Sequence, residues 1–357
     1  MRKHYLDNIR CITVVLVVIY HVLYMYNAEG VAGGLGKITD LEVQYYDLFL
    51  NIVYPWMMPI LFIVAGISSR LYLEKHTDKQ FVVSRTNKLL VPSTIGLLVF
   101  QFIQGYINMA ISDAFETIRE LPGIIKYLIM ALSGSGVLWF IQLLWLFSMM
   151  LVLTRKFEKD RGWNFCRKVS LPILILLTAV VWLSAQSGNT PIVIVYRFGL
   201  YSAMFFMGYF IFSHEEVMDV LKRNFVSFMA IAVILCIGFC IYSFGKNYAD
   251  EPINRSILFC SYSWFGCLAI LSGFSLYLDY ETDLTKWLNK RSYGLYIFHY
   301  LGISAVALYI AKPGYLNPFM IYMLSLIAGF VSGYGLNFII SRIPFLRWAV
   351  LGIRKKG

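Results

Sequence analysis

Ten runs of mostly apolar residues, separated by short polar segments, follow one another along the chain. They cover residues 9–27, 49–70, 89–111, 137–154, 171–187, 193–212, 225–244, 257–278, 292–311 and 318–341. A helix needs about 20 mostly apolar residues to cross a bilayer. The pattern therefore predicts an all-α, polytopic integral membrane bundle of about ten transmembrane helices. The fifth and sixth runs are short, and only the polar residues 187–191 separate them, so their division into two spans is the weakest part of this prediction.

The composition agrees with a chain that has lipid as its main solvent. Of 357 residues, 59% are hydrophobic and 14% are charged, whereas soluble domains carry about 25% charged residues. No segment between the apolar runs is long enough to form a core of its own. We therefore expect a single membrane domain over residues 1–357, in contact with membrane lipid.

The positive charges alternate from loop to loop. If the N-terminus is cytoplasmic, 24 of the 31 Lys and Arg residues fall on the inner side, including Arg2 and Lys3 at one end and Lys355 and Lys356 at the other. By the positive-inside rule, this distribution predicts an even number of spans with both termini cytoplasmic, in a multi-pass protein of the cell membrane. The net charge of +11 is thereby explained without a nucleic-acid partner.

Ionisable residues inside apolar runs are costly, and each is a candidate functional residue. His21, Arg197 and His299 lie in this position, and Arg10 lies at the inner edge of the first span. Eleven residues make three helical turns plus about 20°, so Arg10 and His21 share one helix face about 16 Å apart. Asp7 can pair with Arg10 at i,i+3. The alternative is an interfacial arginine and a histidine that only packs.

Five sequence segments resemble the membrane acyltransferase 3 family. Residues 5–10 read Y-L-D-N-I-R, and Arg10 with His21 matches the family's R-x10-H first helix. In the family's order there follow M-P-I-L-F-I-V-A-G at 58–66, R-T-N-K-L-L-V-P at 85–92, L-W-F-I at 138–141 and S-Y-G-L-Y-I-F-H at 292–299. The resemblance extends over essentially the whole chain.

The resemblance implies transfer of an acyl group, typically acetyl or succinyl, from cytosolic acyl-CoA. The acceptor is a hydroxyl of a cell-envelope glycan or a lipid-linked sugar. Arg10, Arg85 and Lys88 would hold the phosphates of CoA by charge-assisted hydrogen bonds. Lys88 stands where the family has a second arginine, and lysine binds phosphate without the planar guanidinium fork.

His21 is the candidate general base, because imidazole has a pKa suited to accepting a hydroxyl proton near neutral pH. Transfer through a covalent acyl-enzyme stays an alternative to direct transfer. Ser292, Tyr296 and His299 lie near one face of the ninth span. His299 is either a second active-site residue at a depth similar to that of His21 or a structural histidine, and Ser292 and Tyr296 are candidate donor contacts.

Two further residues are candidates for acceptor binding. Arg197 can hold an anionic group of the acceptor, although extension of its side chain to the outer surface is slightly favoured. Trp139 can stack on a sugar or acyl chain, although an interfacial anchor is the better interpretation. The outer loops 28–48, which is rich in glycine, and 112–136 can shape an acceptor site or be ordinary solvated loops.

Other functions fit less well. A secondary transporter would use His21, Arg197 and His299 to line a substrate path, but the matched broken helices of such proteins are not evident. A non-catalytic scaffold leaves the histidines inside the spans unexplained. His214 and Asp219 match the H-x4-D pattern of glycerophosphate acyltransferases without a companion motif. Cys236 and Cys240 share a helix face but lack further ligands, so we expect no metal.

Overall fold

The computed structural model describes residues 3–31, 33–188 and 196–354, and within these ranges the chain is helical, without strands. The α-helices of the described residues are α1 His4–Met25, α2 Leu48–Leu73, α3 Asp78–Arg85, α4 Val91–Gly96, α5 Phe102–Ile111, α6 Gly123–Ser133, α7 Trp139–Glu158, α8 Arg161–Cys166, α9 Leu171–Ala185, α10 Phe198–Phe210, α11 Glu215–Arg223, α12 Phe225–Ser243, α13 Ile257–Tyr277, α14 Asp283–Val306, α15 Pro318–Ile340 and α16 Pro344–Leu351. Three π-helical segments interrupt or extend these helices: Thr86–Leu90, Leu97–Gln101 and Ala307–Ala311.

Eight helical segments of the described residues are long and apolar enough to cross a membrane. They are His4–Met25, Tyr45–Leu73, Asp78–Ile111, Gly136–Glu158, Phe225–Ser243, Ile257–Tyr277, Asp283–Ala311 and Pro318–Ile340. Each coincides with one of the apolar runs in the sequence. The prediction of an all-α, polytopic membrane protein is therefore confirmed.

The two remaining predicted spans are shorter helices. α9 has 15 residues and α10 has 13 residues, fewer than a spanning helix normally needs. They lie on either side of residues 189–195, which lie outside the described residues, as do Arg2, Lys355 and Lys356. This range includes three of the five residues of the predicted turn and the start of the predicted sixth run. Ten crossings and cytoplasmic termini stay predictions.

The chain divides into two compact units. The first comprises residues 1–13, 48–83 and 146–289, and the second comprises residues 14–47, 84–145 and 290–357. The division falls within helices α1, α3, α7 and α14. A single domain over the whole chain stays a prediction.

In the first unit, α2 and α10 pack closely enough that their backbones touch. A Cβ atom on Gly66 would lie 2.1 Å from the carbonyl oxygen of Phe205, and one on Gly208 would lie 2.2 Å from that of Ile63. Only glycine fits at these reciprocal positions. Because lipid supplies no hydrophobic drive between helices, such close van der Waals contact is a main source of helix association in membranes.

In the second unit, the C-terminal half of α1 packs against α14 and α15. Gly329 of α15 faces Val18 of α1 and Ile303 of α14, and the hydroxyls of Tyr26 and Ser325 share a hydrogen bond of 2.7 Å. These contacts hold the portion of α1 that carries His21 beside the portion of α14 that carries His299.

Polar side chains also fix α14 in the second unit. The amide of Gln104 donates to the hydroxyl of Ser304 at 2.9 Å, and this hydroxyl donates to the backbone carbonyl of Tyr300 at 2.8 Å. The amide of Asn108 donates to the carbonyl of Ser133 at 2.8 Å and ties α5 to α6. Buried polar groups without such partners would cost free energy, so the network restricts α14 to one position.

Candidate active site

His21 and His299 are in direct contact in the second unit. Nε2 of His299 lies 3.2 Å from Nδ1 of His21, and the ring centroids are 4.9 Å apart. His299 is completely buried, whereas His21 is half-buried. The sequence predicted a similar depth for the two residues, and the structure joins them by a hydrogen bond. We call them the histidine pair.

The hydrogen bonds of the pair determine which nitrogen atoms carry protons. Nδ1 of His299 lies 3.1 Å from the carbonyl oxygen of Leu295 and 2.9 Å from that of Tyr296. Because a carbonyl only accepts, this nitrogen must donate, and in a neutral ring Nε2 of His299 is then an acceptor. Nδ1 of His21 must therefore donate, shared between His299 and the carbonyl of Val17 at 2.8 Å.

Nε2 of His21 is left with a free lone pair by this arrangement. Within the described residues it has no hydrogen-bond partner, and it belongs to the less buried ring of the pair. A neutral imidazole held in one tautomer with its unprotonated nitrogen available has the configuration of a general base. The pair can accept one proton at this atom.

Three tyrosine rings surround His21. The ring centroids of Tyr20, Tyr24 and Tyr300 lie 5.3, 5.8 and 5.2 Å from that of His21. Each of the three tyrosines forms an edge-to-face pair with the imidazole. The sequence analysis did not single out these residues. Their proximity in sequence was the available signal, since Tyr24 lies one turn after His21 and Tyr300 directly follows His299.

Among the described residues there is no group of three or more His, Cys, Asp or Glu side chains that could hold a metal ion. The two imidazoles of the pair are bonded to each other and to backbone carbonyls instead. Such a pair can share and transfer a proton.

The basic segment before the third predicted span is tied to the same helix as His299. Arg85 ends α3, and Lys88 lies exposed in the π-helical segment that follows. The hydroxyl of Tyr293 donates to the backbone carbonyl of Lys88 at 2.6 Å. Tyr293 precedes His299 by six residues, about 9 Å along α14. π-Helical turns frequently occur at functional sites.

Comparison with known proteins gives the family. The profile of the acyltransferase domain family matches residues 3–342, nearly the whole chain. The chain belongs to the membrane acyltransferase 3 family. No curated protein and no solved structure matches the chain. The family resemblance inferred from the five motifs is confirmed, and the protein is a multi-pass membrane acyltransferase.

Tyr296 and Trp139 of the acyltransferase hold the start of α7. The hydroxyl of Tyr296 donates to the carbonyl of Val137, and the ring of Phe140 packs between those of Tyr296 and Trp139 at 5.8 and 6.2 Å. Ser292 is buried on α14. The donor contacts expected of Ser292 and Tyr296 and the acceptor contact expected of Trp139 stay predictions, and Tyr296 has the structural partner described.

Arg10 of the acyltransferase lies on α1 in the first unit. Its guanidinium donates to Asp7 at 3.1 Å, the pair that the i,i+3 spacing predicted, and to the hydroxyl of Ser68 at 3.4 Å. With 43% of its side chain exposed, Arg10 keeps donors available to an anion. Its role in donor binding stays a prediction.

Arg197 does not extend to the surface, and the interpretation favoured from sequence is wrong. Its side chain is only 2% exposed. The guanidinium donates to the hydroxyl of Tyr54 at 2.7 Å and to the carbonyl of Ala249 at 3.1 Å. It also lies over the ring of Phe259 at 5.2 Å, within cation–π range. Arg197 therefore joins α2 and α13 to the segment before α13, and its role in acceptor binding stays a prediction.

The histidine of the H-x4-D pattern has a structural environment. His214 stacks on Trp163 with centroids 4.1 Å apart, and its Nε2 donates to the carbonyl of Trp163 at 2.8 Å. The guanidinium of Arg70 lies over the same indole at 3.8 Å. Burial lowers the pKa of His214 from its usual range. His214 therefore joins α8 to the start of α11. It is distant in sequence from the histidine pair and has different partners.

Substitution of Tyr54 by phenylalanine tests the structural role of Arg197. The change removes the acceptor of a hydrogen bond from a charged donor, which contributes about 1.5–3 kcal/mol. We expect Tyr54→Phe to lower the denaturation midpoint of the detergent-solubilised protein, whereas Tyr309→Phe, at an exposed tyrosine, leaves it unchanged. An unchanged midpoint together with weaker acceptor binding would contradict the structural role and favour the acceptor role.

Proposed function

We propose that this acyltransferase moves an acetyl or succinyl group from cytosolic acyl-CoA to a hydroxyl of a cell-envelope glycan or a lipid-linked sugar. His21 is the general base. The observation that carries the proposal is the free lone pair on Nε2 of His21, which the hydrogen bonds of His299 leave unprotonated.

The reaction needs one proton to move twice. The acceptor hydroxyl loses its proton to Nε2 of His21 as its oxygen attacks the thioester carbonyl carbon, forming a C–O bond. The C–S bond then breaks, and the CoA sulfur leaves as a thiol with the proton from His21. A single imidazole serves both steps, because the proton that it accepts is the one that it returns.

His299 is a positioning residue in this mechanism. It fixes the tautomer of His21 through the 3.2 Å contact, and its own tautomer is fixed by two carbonyls. When His21 becomes an imidazolium, its Nδ1–H donates to Nε2 of His299 and to the carbonyl of Val17, so that the charge is hydrogen-bonded within the protein. Direct transfer at His21 is the proposed route, and transfer through a covalent acyl-enzyme stays the alternative.

The donor phosphates are assigned to the basic residues. Arg10 lies in the second turn of α1, Arg85 ends α3, and Lys88 lies in the π-helical segment that follows. The sequence predicts the inner membrane surface at these residues, and charge-assisted bonds to phosphate are strong. The contact between Tyr293 and Lys88 supports the assignment, since α14 then connects the basic segment directly to the histidine pair. Arg197 and Trp139 remain the proposed acceptor contacts.

Replacement of the two histidines tests the proposed base. His21→Ala should lower kcat by about 10²–10⁴-fold, the usual contribution of a positioned general base. His299→Ala should lower it by about 10²-fold through misorientation of His21. The measurement is thiol release from acetyl-CoA with mass-spectrometric detection of the acetylated glycan, using purified protein in nanodiscs.

His76→Ala is the matched control, because His76 is exposed and bonds only locally to Tyr72. It should retain full activity. Wild-type activity in His21→Ala with the fold intact would overturn the proposed role, and flux of a glycan across vesicles without acyl transfer would support a transporter instead.

Donors with and without phosphates test the basic residues. Arg85→Gln and Lys88→Gln should each raise KM for acetyl-CoA by about tenfold, since a hydrogen bond to a charged group contributes about 1.5–3 kcal/mol. KM for acetyl-N-acetylcysteamine, a thioester without phosphates, should not change. Lys79→Gln, at an exposed lysine of α3, is the control. Equal changes for both donors would place the phosphate contacts elsewhere.

A further inference from the structure

Gly33, in the loop that follows α1, lies beside Tyr24 and Tyr300. These are two of the three tyrosines whose rings surround His21. The hydroxyl of Tyr300 donates to the carbonyl oxygen of Gly33 at 3.0 Å. A Cβ atom on Gly33 would lie 3.2 Å from the hydroxyl oxygen of Tyr24. The ring centroids of these tyrosines are 5.2 and 5.8 Å from that of His21. One loop residue is thus bonded to one of these tyrosines and lies beside the other.

Residues 33–36, which we call the glycine cap, close the end of α1. The amides of Leu35 and Gly36 donate to the carbonyl oxygen of Met25 at 2.7 and 3.2 Å. The last carbonyls of a helix lack partners within it, and these bonds satisfy one of them. Met25 lies four residues after His21, one helical turn, so the glycine cap covers the turn next to the base.

The glycine cap requires glycine at its contact points. A Cβ atom on Gly34 would lie 2.8 Å from the carbonyl oxygen of Tyr24 and 2.9 Å from that of Met25. Gly33 and Gly36 have φ angles of 98° and 93°, which other residues rarely adopt. The sequence Gly33-Gly34-Leu35-Gly36 therefore specifies a backbone that lies directly on the end of α1.

We propose that the glycine cap, held by Tyr300, keeps water from Nε2 of His21, so that the acceptor hydroxyl and not water receives the acyl group. The inference rests on the proposed function of His21. Tyr300 acts through the cap and is a positioning residue. Its side chain is 7% exposed, and its hydroxyl has the cap carbonyl as its partner.

The physical reason for the cap is competition between two nucleophiles. Water at the base would attack the same thioester carbon, form a C–O bond, break the C–S bond, and yield the free acid and CoA thiol. Hydrolysis uses the base in the same way as transfer, so the base cannot discriminate between them. Exclusion of water from a closed site is the general means of suppressing this side reaction.

The experiment measures hydrolysis and transfer side by side. Purified protein in nanodiscs receives acetyl-CoA with an accepted glycan, and the ratio of free acetate to acetylated glycan is determined. Tyr300→Phe keeps the ring beside His21 and removes the bond to Gly33. We expect this ratio to rise about fivefold, the population change from loss of one hydrogen bond, with KM for acetyl-CoA unchanged.

A second variant of the glycine cap and a control variant distinguish the loss of water exclusion from a general loss of folding. Gly33→Ala, which presses on the Tyr24 hydroxyl at a strained φ angle, should raise the ratio in the same direction. Tyr315→Phe, at a tyrosine that is 72% exposed, should leave it unchanged. A ratio that stays at the wild-type value in both cap variants, whether or not total activity falls, overturns the role of the glycine cap.

The outcome is distinguishable from failure of the proposed function. If the wild-type protein transfers acetyl groups but the cap variants keep its ratio, only the glycine cap inference fails. If the wild-type protein cleaves no thioester with any acceptor and releases no acetate, the proposed function fails with it.

Discussion

The hydrogen bond between Nδ1 of His21 and Nε2 of His299 is the interaction on which the proposed chemistry of this protein depends. It belongs to a series of hydrogen bonds that starts at the carbonyls of Leu295 and Tyr296 and ends at the His21 ring, whose Nε2 is unprotonated. Each link restricts the next, because a carbonyl can only accept and a neutral imidazole has one donor and one acceptor. The carbonyls of α14, together with that of Val17 in α1, thereby leave Nε2 of His21 as the unprotonated atom.

This series of hydrogen bonds requires the position of α14 to be fixed to within a fraction of an ångström. The helix is held along its length by bonds that do not involve the reacting groups: Tyr293 to Lys88, Tyr296 to Val137, and Ser304 to Gln104. In the bilayer core a buried contact such as that of Gln104 with Ser304 has no water to compete with it and is costly to lose. The same bonds that stabilise the helix also connect the basic segment at one end to the histidine pair.

Much of the fold could be predicted from sequence, because the solvent imposes it. Apolar runs of about 20 residues must be helices in lipid, and eight of them are long helices in the structure. The short helices α9 and α10 show the limit of this rule, since an apolar run does not specify where its helix begins. Arg10, Asp7 and His21 could be placed on one helix by spacing alone.

The arrangement of the site could be predicted only in part. Spacing within a helix shows which side chains share a face, but the contact of His21 with His299 joins residues 278 positions apart, and helix packing decides it. The hydrogen bond of Tyr300 to Gly33 likewise joins residues that are distant in the sequence. The expected extension of Arg197 to the outer surface was wrong because its partners, Tyr54 and Ala249, come from distant segments that no local pattern connects to it.

The protonation state of the His21 ring tests the account most directly. The protein contains five histidines, so ¹⁵N-histidine-labelled protein in lipid, compared with a His21→Gln sample, allows the two nitrogen signals of His21 to be assigned by NMR at neutral pH. The account predicts a neutral ring with a proton on Nδ1 and an unprotonated Nε2. A proton resident on Nε2 in the wild-type protein would contradict it.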